Sequence, residues 1–110
     1  MLGDNNLQQS YLVGYGSKYP EYLHHRGASI PDGPTKYDCN SGYVWYHSAD
    51  PNPNVGYGAV VGGPAKNETY TDARDNIAQN EASVYNSVSM AGLVAGLSVN
   101  GSYSVPVSWT

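Results

Sequence analysis

Residues 84–97 read VYNSVSMAGLVAGL, and this stretch decides the fold class. Its apolar residues recur every three or four positions, which is the period of one helix face; they are Val84, Val88, Ala91, Val94, Ala95 and Leu97. Gly92 and Gly96 cost such a helix about 1 kcal/mol each, but they allow a neighbouring element to approach closely. We therefore predict a mainly α-helical protein whose C-terminal helix presents an apolar face.

Upstream of this helix, glycine and proline interrupt the chain at short intervals and no helical period is sustained. Residues 1–9 are either the end of a helix or a short turn, and residues 43–46 and 58–61 are candidates for short strands. Irregular segments of this length are usually functional, so we predict long loops that carry a site. The tail, residues 98–110, is polar and β-leaning, and Pro106 opposes a further helix.

The composition limits what this chain can bury on its own. It has 19 Leu, Ile and Val residues among 110, which is below the roughly 20% typical of comfortable globular cores. The net charge of −4 is nevertheless too small for a typical disordered chain. These values predict one piece of a larger domain.

Several classes of partner are not expected. Five Lys and Arg against nine Asp and Glu leave no basic stripe for nucleic acid phosphates. No apolar run approaches the roughly 20 residues of a membrane span. Cys39 is the only cysteine and forms neither an internal disulfide nor a paired zinc motif. Because adjacent histidines rarely converge on one ion, we expect no metal at His24 and His25, and no cofactor.

The run His24-His25-Arg26 is the first candidate site. Imidazole and guanidinium groups supply donors that suit the hydroxyls or the carboxylate of a polar ligand. An extended loop would point His24 and Arg26 to one side and His25 to the other. Alternatively, one histidine bonds the loop backbone and Arg26 pairs with a local acid such as Asp32. The residues alone leave both interpretations open.

Two carboxylates before the helix form the second candidate site. Asp72 and Glu81 are nine residues apart, and Arg74 is available to hold one of them ionised. A carboxyl group among aromatic and amide residues, with another nearby, provides the material of general acid catalysis. Alternatively, Asp72 stands at a turn and Glu81 lies in the first turn of the helix, where an acid favours the helix dipole. Spacing alone favours this structural alternative.

The aromatic residues point to the class of ligand. The chain has 11 Tyr, 2 Trp and no Phe, and most of these aromatic residues stand in loops. Each offers a flat apolar face with a polar tip, which suits a sugar ring. No glycine-rich stretch has the lysine spacing of a phosphate loop, so a carbohydrate is favoured over a nucleotide.

Several blocks of the sequence, in this order, resemble the C-terminal part of the catalytic domain of glycoside hydrolase family 9, the endo-β-1,4-glucanases or cellulases. They are residues 2–5, 10–20, 23–29, 51–54, 60–64 and 70–74. The resemblance covers residues 1–97 and implies about the last quarter of an (α/α)6 barrel. It also implies that Met1 is an internal residue of a longer enzyme or the start of a truncated reading frame.

The resemblance implies a role for each matching residue. Glu81 matches the family's general acid, and Asp72 matches an active-site residue that supports it. His24 and Arg26 match residues that contact the sugar near the scissile bond. We expect further substrate contacts from Tyr70, Trp45 and Tyr85.

Two departures from the family pattern lie close to the acid. Ile77 stands where the family usually has an aromatic residue. The stretch from Glu81 to Asn86 is one residue shorter than the common pattern, which changes the aim of Asn86 and Tyr85 but not the identity of Glu81.

The implied activity is hydrolysis of internal β-1,4-glucosidic bonds with inversion, in which a second carboxylate activates water about 6.5–9.5 Å from the acid. The family takes this base from an N-terminal motif that the present sequence lacks, so we expect the isolated chain to be nearly inactive. The resemblance also implies a secreted enzyme that is monomeric at full length. Two alternatives remain, a non-catalytic carbohydrate-binding fragment and an inactive remnant.

Overall fold

The computed structural model describes residues 1–99, and four helices lie within them. Three are single turns of four residues: α1, Arg26–Ser29; α2, Tyr43–Tyr46; and α3, Ile77–Asn80. The fourth, α4, Val84–Ser98, has 15 residues. Pairing between extended segments is limited in this range to the bridges Leu2–Ser10, Leu12–Val60 and Val61–Ala82. Of the predicted polar tail, residues 100–110 lie outside the described part of the chain.

Helix α4 begins where the sequence predicts and ends one residue later. The hydroxyl of Ser83 caps it by accepting a hydrogen bond from the Asn86 amide. Met90 is the only buried residue of α4, whereas Val84 is 76% exposed and Val88 is 64% exposed. The prediction that apolar side chains of this helix stay uncovered is confirmed as far as residues 1–99 are concerned. No helix among residues 1–99 is both long and apolar enough to cross a membrane.

A small core holds the loops together. It consists of Tyr11, Val13, Leu23 and Val61, with Tyr19, Ala59 and Tyr70 packed around them. The Val13 amide donates to the Ala59 carbonyl at 2.9 Å, and the Val61 amide donates to the Tyr11 carbonyl at 3.2 Å. Residues 11–13 therefore run antiparallel to residues 59–61, and the expected strand at 58–61 is present only as isolated bridges.

Two local expectations are decided by side-chain bonds. The predicted strand at 43–46 is wrong, because these residues form α2. Before α2, the carboxylate of Asp38 accepts hydrogen bonds from the Asn40 and Ser41 amides and closes a turn, which also lowers the pKa of Asp38. Residues 1–9 form turns rather than a helix, since the side-chain oxygen of Asn5 accepts from the Leu7 and Gln9 amides.

Candidate functional site

Glu81 lies between α3 and α4, on a backbone that is held from both sides. Its amide donates to the Ile77 carbonyl at 2.9 Å, and at Glu81 the chain turns to an extended conformation. The next residue, Ala82, pairs with Val61. The expectation that Glu81 occupies the first turn of α4 is wrong, because Ser83 caps that helix. Glu81 itself is exposed.

His24 lies beside this segment. Its amide donates to the Asn80 carbonyl at 3.0 Å. The ring nitrogen Nδ1 is 2.6 Å from the Arg74 carbonyl oxygen and 3.0 Å from the Tyr46 hydroxyl. Because a carbonyl oxygen only accepts, Nδ1 carries the hydrogen, and Nε2 is the acceptor of the neutral ring.

The Tyr46 hydroxyl completes the support of His24 by donating to the same Arg74 carbonyl at 2.7 Å. Burial, followed by the charge of Asp75, raises the pKa of Tyr46 and keeps the hydroxyl protonated. His24 is therefore held in one orientation by neutral partners.

The two residues after His24 have separate tasks. His25 caps α1, because its Nδ1 accepts from the Ala28 amide at 3.0 Å. This confirms the expectation that one histidine bonds the loop backbone. Arg26 donates to the Cys39 carbonyl at 3.1 Å, and its guanidinium lies 4.9 Å from the centre of the Tyr43 ring. The expected pairing of Arg26 with Asp32 is wrong.

Both carboxylate oxygens of Asp72 accept hydrogen bonds from neighbouring segments. One carboxylate oxygen accepts from the Glu21 amide at 2.8 Å. The other oxygen accepts from the Tyr22 amide at 3.1 Å and from the Asn80 side chain at 2.7 Å. Asp72 therefore ties the segment before His24 to the residue before Glu81.

Arg74 pairs with neither Asp72 nor Glu81, so the expected ion pair is wrong. The residue is 5% exposed. Its guanidinium donates to the Asn52 side chain at 2.5 Å, to the Ser48 carbonyl at 2.6 Å and to the Asp50 carbonyl at 2.5 Å. Arg74 therefore holds the loop that follows α2 and its last residue, Tyr46.

The three predicted aromatic contacts occupy different surroundings. The Tyr70 ring lies 5.2 Å from that of Tyr11, and its hydroxyl donates to the Asn80 side-chain oxygen. Burial and the charge of Asp72 raise the Tyr70 pKa well above its ordinary value. Trp45 is half-buried and meets Tyr37 edge-on at 6.0 Å, whereas Tyr85 is 77% exposed on α4.

An open cleft of about 310 Å³ runs beside this network, lined by Tyr22, Tyr46, His47, Ser48, Asp72, Ala73, Arg74 and Asp75. A second, more apolar cavity of about 320 Å³ lies around Leu7, Tyr11 and Pro64, and none of the predicted site residues lines it. Trp45 lines a separate cavity of about 150 Å³ with Pro31 and Pro53. Among residues 1–99, no group of three or more His, Cys, Asp or Glu side chains is placed to hold a metal ion.

Sequence reasoning missed two members of the network, Asn80 and Tyr46. Asn80 is fully buried and bonds Asp72 and Tyr70, while Tyr46 orients His24. The one local signal for Asn80 is its position directly before Glu81. Tyr46 has no comparable signal, because its partners lie far away in the sequence.

Comparisons with known proteins identify the family of this chain. A family model described as Glycosyl hydrolase family 9 matches residues 1–94. Endoglucanase 2 of Arabidopsis thaliana is 58% identical over 97 residues, covering 88% of this chain and 19% of the relative. Endoglucanase 24 of Oryza sativa subsp. japonica is 56% identical over 97 residues, with 88% and 18% covered. The chain thus spans about a fifth of the length of these relatives.

Solved structures match as well. The catalytic domain of Clostridium thermocellum CelT has a TM-score of 0.69 at 33% identity, covering 87% of this chain and 17% of that one. The cellulase Cel9M of C. cellulolyticum, solved in complex with cellobiose, has a TM-score of 0.64 at 30% identity, with 86% and 20% covered. The chain belongs to glycosyl hydrolase family 9 and corresponds to part of its catalytic domain.

Proposed function

We propose that these residues belong to an enzyme that hydrolyses internal β-1,4-glucosidic bonds in cellulose or a related β-glucan, with Glu81 as its general acid. The observation that carries this proposal is the placement of Glu81. Its carboxyl group is exposed on a backbone fixed by the bridge of Ala82 to Val61 and by the bond from the His24 amide to the preceding carbonyl. The endoglucanase relatives support the same reaction.

In the proposed reaction, the protonated Glu81 carboxyl gives its proton to the glycosidic oxygen as the bond from that oxygen to the anomeric carbon breaks. A second carboxylate accepts a proton from the water that attacks the opposite face, so the configuration inverts. We assign this base to another part of the complete (α/α)6 barrel, the fold we propose for the whole domain.

The other site residues bind or position the sugar in this proposal. His24 offers Nε2, and Arg26 offers the guanidinium N–H groups that the Cys39 carbonyl does not use, to sugar hydroxyls. Asp72 supports the site through its bonds to the Glu21 and Tyr22 amides. Tyr70, Trp45 and Tyr85 remain proposed substrate contacts through their ring faces.

The family relatives also guide the proposed setting. We propose a secreted enzyme that acts on extracellular β-1,4-glucan and is monomeric at full length. We expect the isolated 110-residue chain to release almost no reducing sugar from carboxymethyl cellulose, because the proposed base lies elsewhere in the domain. Substantial release by the purified chain would contradict that assignment of the base.

The role of Glu81 is best tested in a completed enzyme, defined as Endoglucanase 2 of Arabidopsis thaliana with residues 1–94 of this chain in place of its matching segment. There, Glu81→Gln should lower kcat on a cellooligosaccharide by about 10²–10⁴-fold, since the amide has no proton of suitable acidity to give. Glu68→Gln is the matched control, because Glu68 is an exposed glutamate that contacts Asn6. Unchanged turnover in Glu81→Gln would refute the assignment.

A second candidate for the isolated chain is binding of glucan without hydrolysis. The exposed rings of Tyr43, Tyr57 and Tyr85 favour it, as they offer apolar faces to a sugar. Retention of the purified chain on cellulose, with loss of retention in Trp45→Ala, would support this candidate. If the chain neither binds nor unfolds cooperatively, the interpretation as an inactive remnant holds for the isolated chain.

A further inference from the structure

Asn80 combines a fully buried side chain with a position directly before the exposed Glu81. It is the last residue of α3, and its amide donates to the Asn76 carbonyl at 2.9 Å. Its own carbonyl accepts from the His24 amide at 3.0 Å. The backbone of this one residue therefore joins α3, which ends directly before the proposed acid, to the loop that carries the proposed sugar-binding histidine.

The side chain of Asn80 adds a second set of bonds. Its amide nitrogen, with two hydrogens to donate, lies within hydrogen-bond distance of three acceptors: the Tyr22 carbonyl at 2.8 Å, the Ala73 carbonyl at 3.1 Å and the Asp72 carboxylate at 2.7 Å. Its oxygen accepts from the Tyr70 hydroxyl. Because carbonyl oxygens only accept, the nitrogen must face Tyr22 and Ala73, which fixes the orientation of the amide.

No other small side chain meets these requirements at position 80. An aspartate has no N–H groups and would set a second carboxylate against Asp72. An apolar side chain would take the side-chain donor away from the part-buried Tyr22 and Ala73 carbonyls and the acceptor away from the Tyr70 hydroxyl. An amide alone supplies donors and an acceptor at this one place.

We propose that Asn80 is a positioning residue, which touches no substrate but fixes the position and orientation of the Glu81 carboxyl relative to His24. The inference rests on the proposed function of Glu81. Loss of the Asn80 side chain removes its bonds to Asp72 and to the Tyr22 carbonyl and leaves backbone bonds alone to hold Glu81 relative to His24. The proton is then presented to the leaving oxygen at a wrong distance or angle. Displacements of about 1 Å at an active site cost on the order of 10²-fold in rate.

Substrates with different leaving groups separate positioning from mere support of the fold. A cellooligosaccharide needs the acid, since a sugar alkoxide leaves poorly, whereas 2,4-dinitrophenyl cellobioside releases a phenolate that needs little protonation. In the completed enzyme, Asn80→Ala should lower kcat about 100-fold on the cellooligosaccharide with little change in KM. On the dinitrophenyl substrate the loss should stay below about threefold, because the acid contributes little there.

The matched control is Asn76→Ala. Asn76 lies four residues earlier and donates to the Thr71 carbonyl and to the Gln79 side chain, away from Asp72. Asn76→Ala should leave the ratio of kcat on the two substrates unchanged. Tyr70→Phe is a second, milder variant, because it keeps the ring and removes only the hydroxyl that bonds Asn80. It should lower the ratio of kcat on the cellooligosaccharide to kcat on the dinitrophenyl substrate by about threefold.

The outcomes distinguish this inference from the proposed function. If Glu81→Gln shows the difference between substrates and neither Asn80→Ala nor Tyr70→Phe does, the positioning role is wrong and the acid assignment stands. If Glu81→Gln loses equal activity on both substrates, the acid assignment itself fails. Should Asn80→Ala not fold, the Tyr70→Phe ratio decides the question, and an unchanged ratio overturns the proposal.

Discussion

We predict that the exposed apolar side chains of α4 are covered by the rest of the domain. Val84 is 76% exposed and Val88 is 64% exposed, and because they are four residues apart they lie on the same side of the helix. Complete burial of a valine or leucine side chain contributes about 1.5–3 kcal/mol, so covering the exposed part of each contributes about 1–2 kcal/mol. The double substitution Val84→Ser and Val88→Ser should therefore destabilise the completed enzyme by about 2–4 kcal/mol. In the isolated 110-residue chain it should change the free energy of unfolding by less than about 0.5 kcal/mol.

Urea unfolding followed by far-ultraviolet circular dichroism measures both free energies. Met90→Ala is the control, because Met90 is buried within the chain itself at 6% exposure. It should cost about 2–5 kcal/mol in both proteins. Equal destabilisation of the isolated chain and the completed enzyme by the double substitution would mean that this chain already covers the face. No effect in either protein would mean that nothing covers it, and the reasoning would be refuted.

Two further substitutions test the support of the site. Gly62→Ala should lower the stability of the completed enzyme by about 1–3 kcal/mol, because a Cβ at Gly62 would overlap the Ala78 carbonyl oxygen of α3. A thermal melt measures the loss, with Gly33→Ala as the control, because a Cβ at Gly33 meets no neighbouring atom. Native Tyr70 has a raised pKa and holds its proton more tightly than in the unfolded chain, so its contribution is complete below about pH 10 and is lost as the pH rises further. Tyr70→Phe should therefore flatten the loss of stability above pH 10, and an unchanged slope in urea titrations would contradict this.

The site residues were accessible from the sequence to different degrees. The sequence indicates Glu81 and Asp72 as candidate site residues because they are carboxylates among aromatic and amide residues, and the family resemblance implies a role for each. The alternatives that spacing left open are decided by hydrogen-bond partners in the folded chain. Arg74 is an example, since it bonds the Ser48 and Asp50 carbonyls rather than a carboxylate. The local sequence does not predict that Arg74 bonds these carbonyls rather than Asp72, because the loop that carries them has no periodic pattern from which its position could be inferred.

The sequence by itself determined α4, because the apolar period and a capping serine are local properties of the chain. It also predicts that apolar side chains of α4 stay exposed, because the chain has few aliphatic residues to cover them. Tertiary structure alone decided the network around Asn80, whose side chain bonds Tyr22 across 58 positions of sequence. Such bonds depend on how loops pack rather than on any local preference, so the residue that joins His24 to Glu81 became visible only in the folded chain.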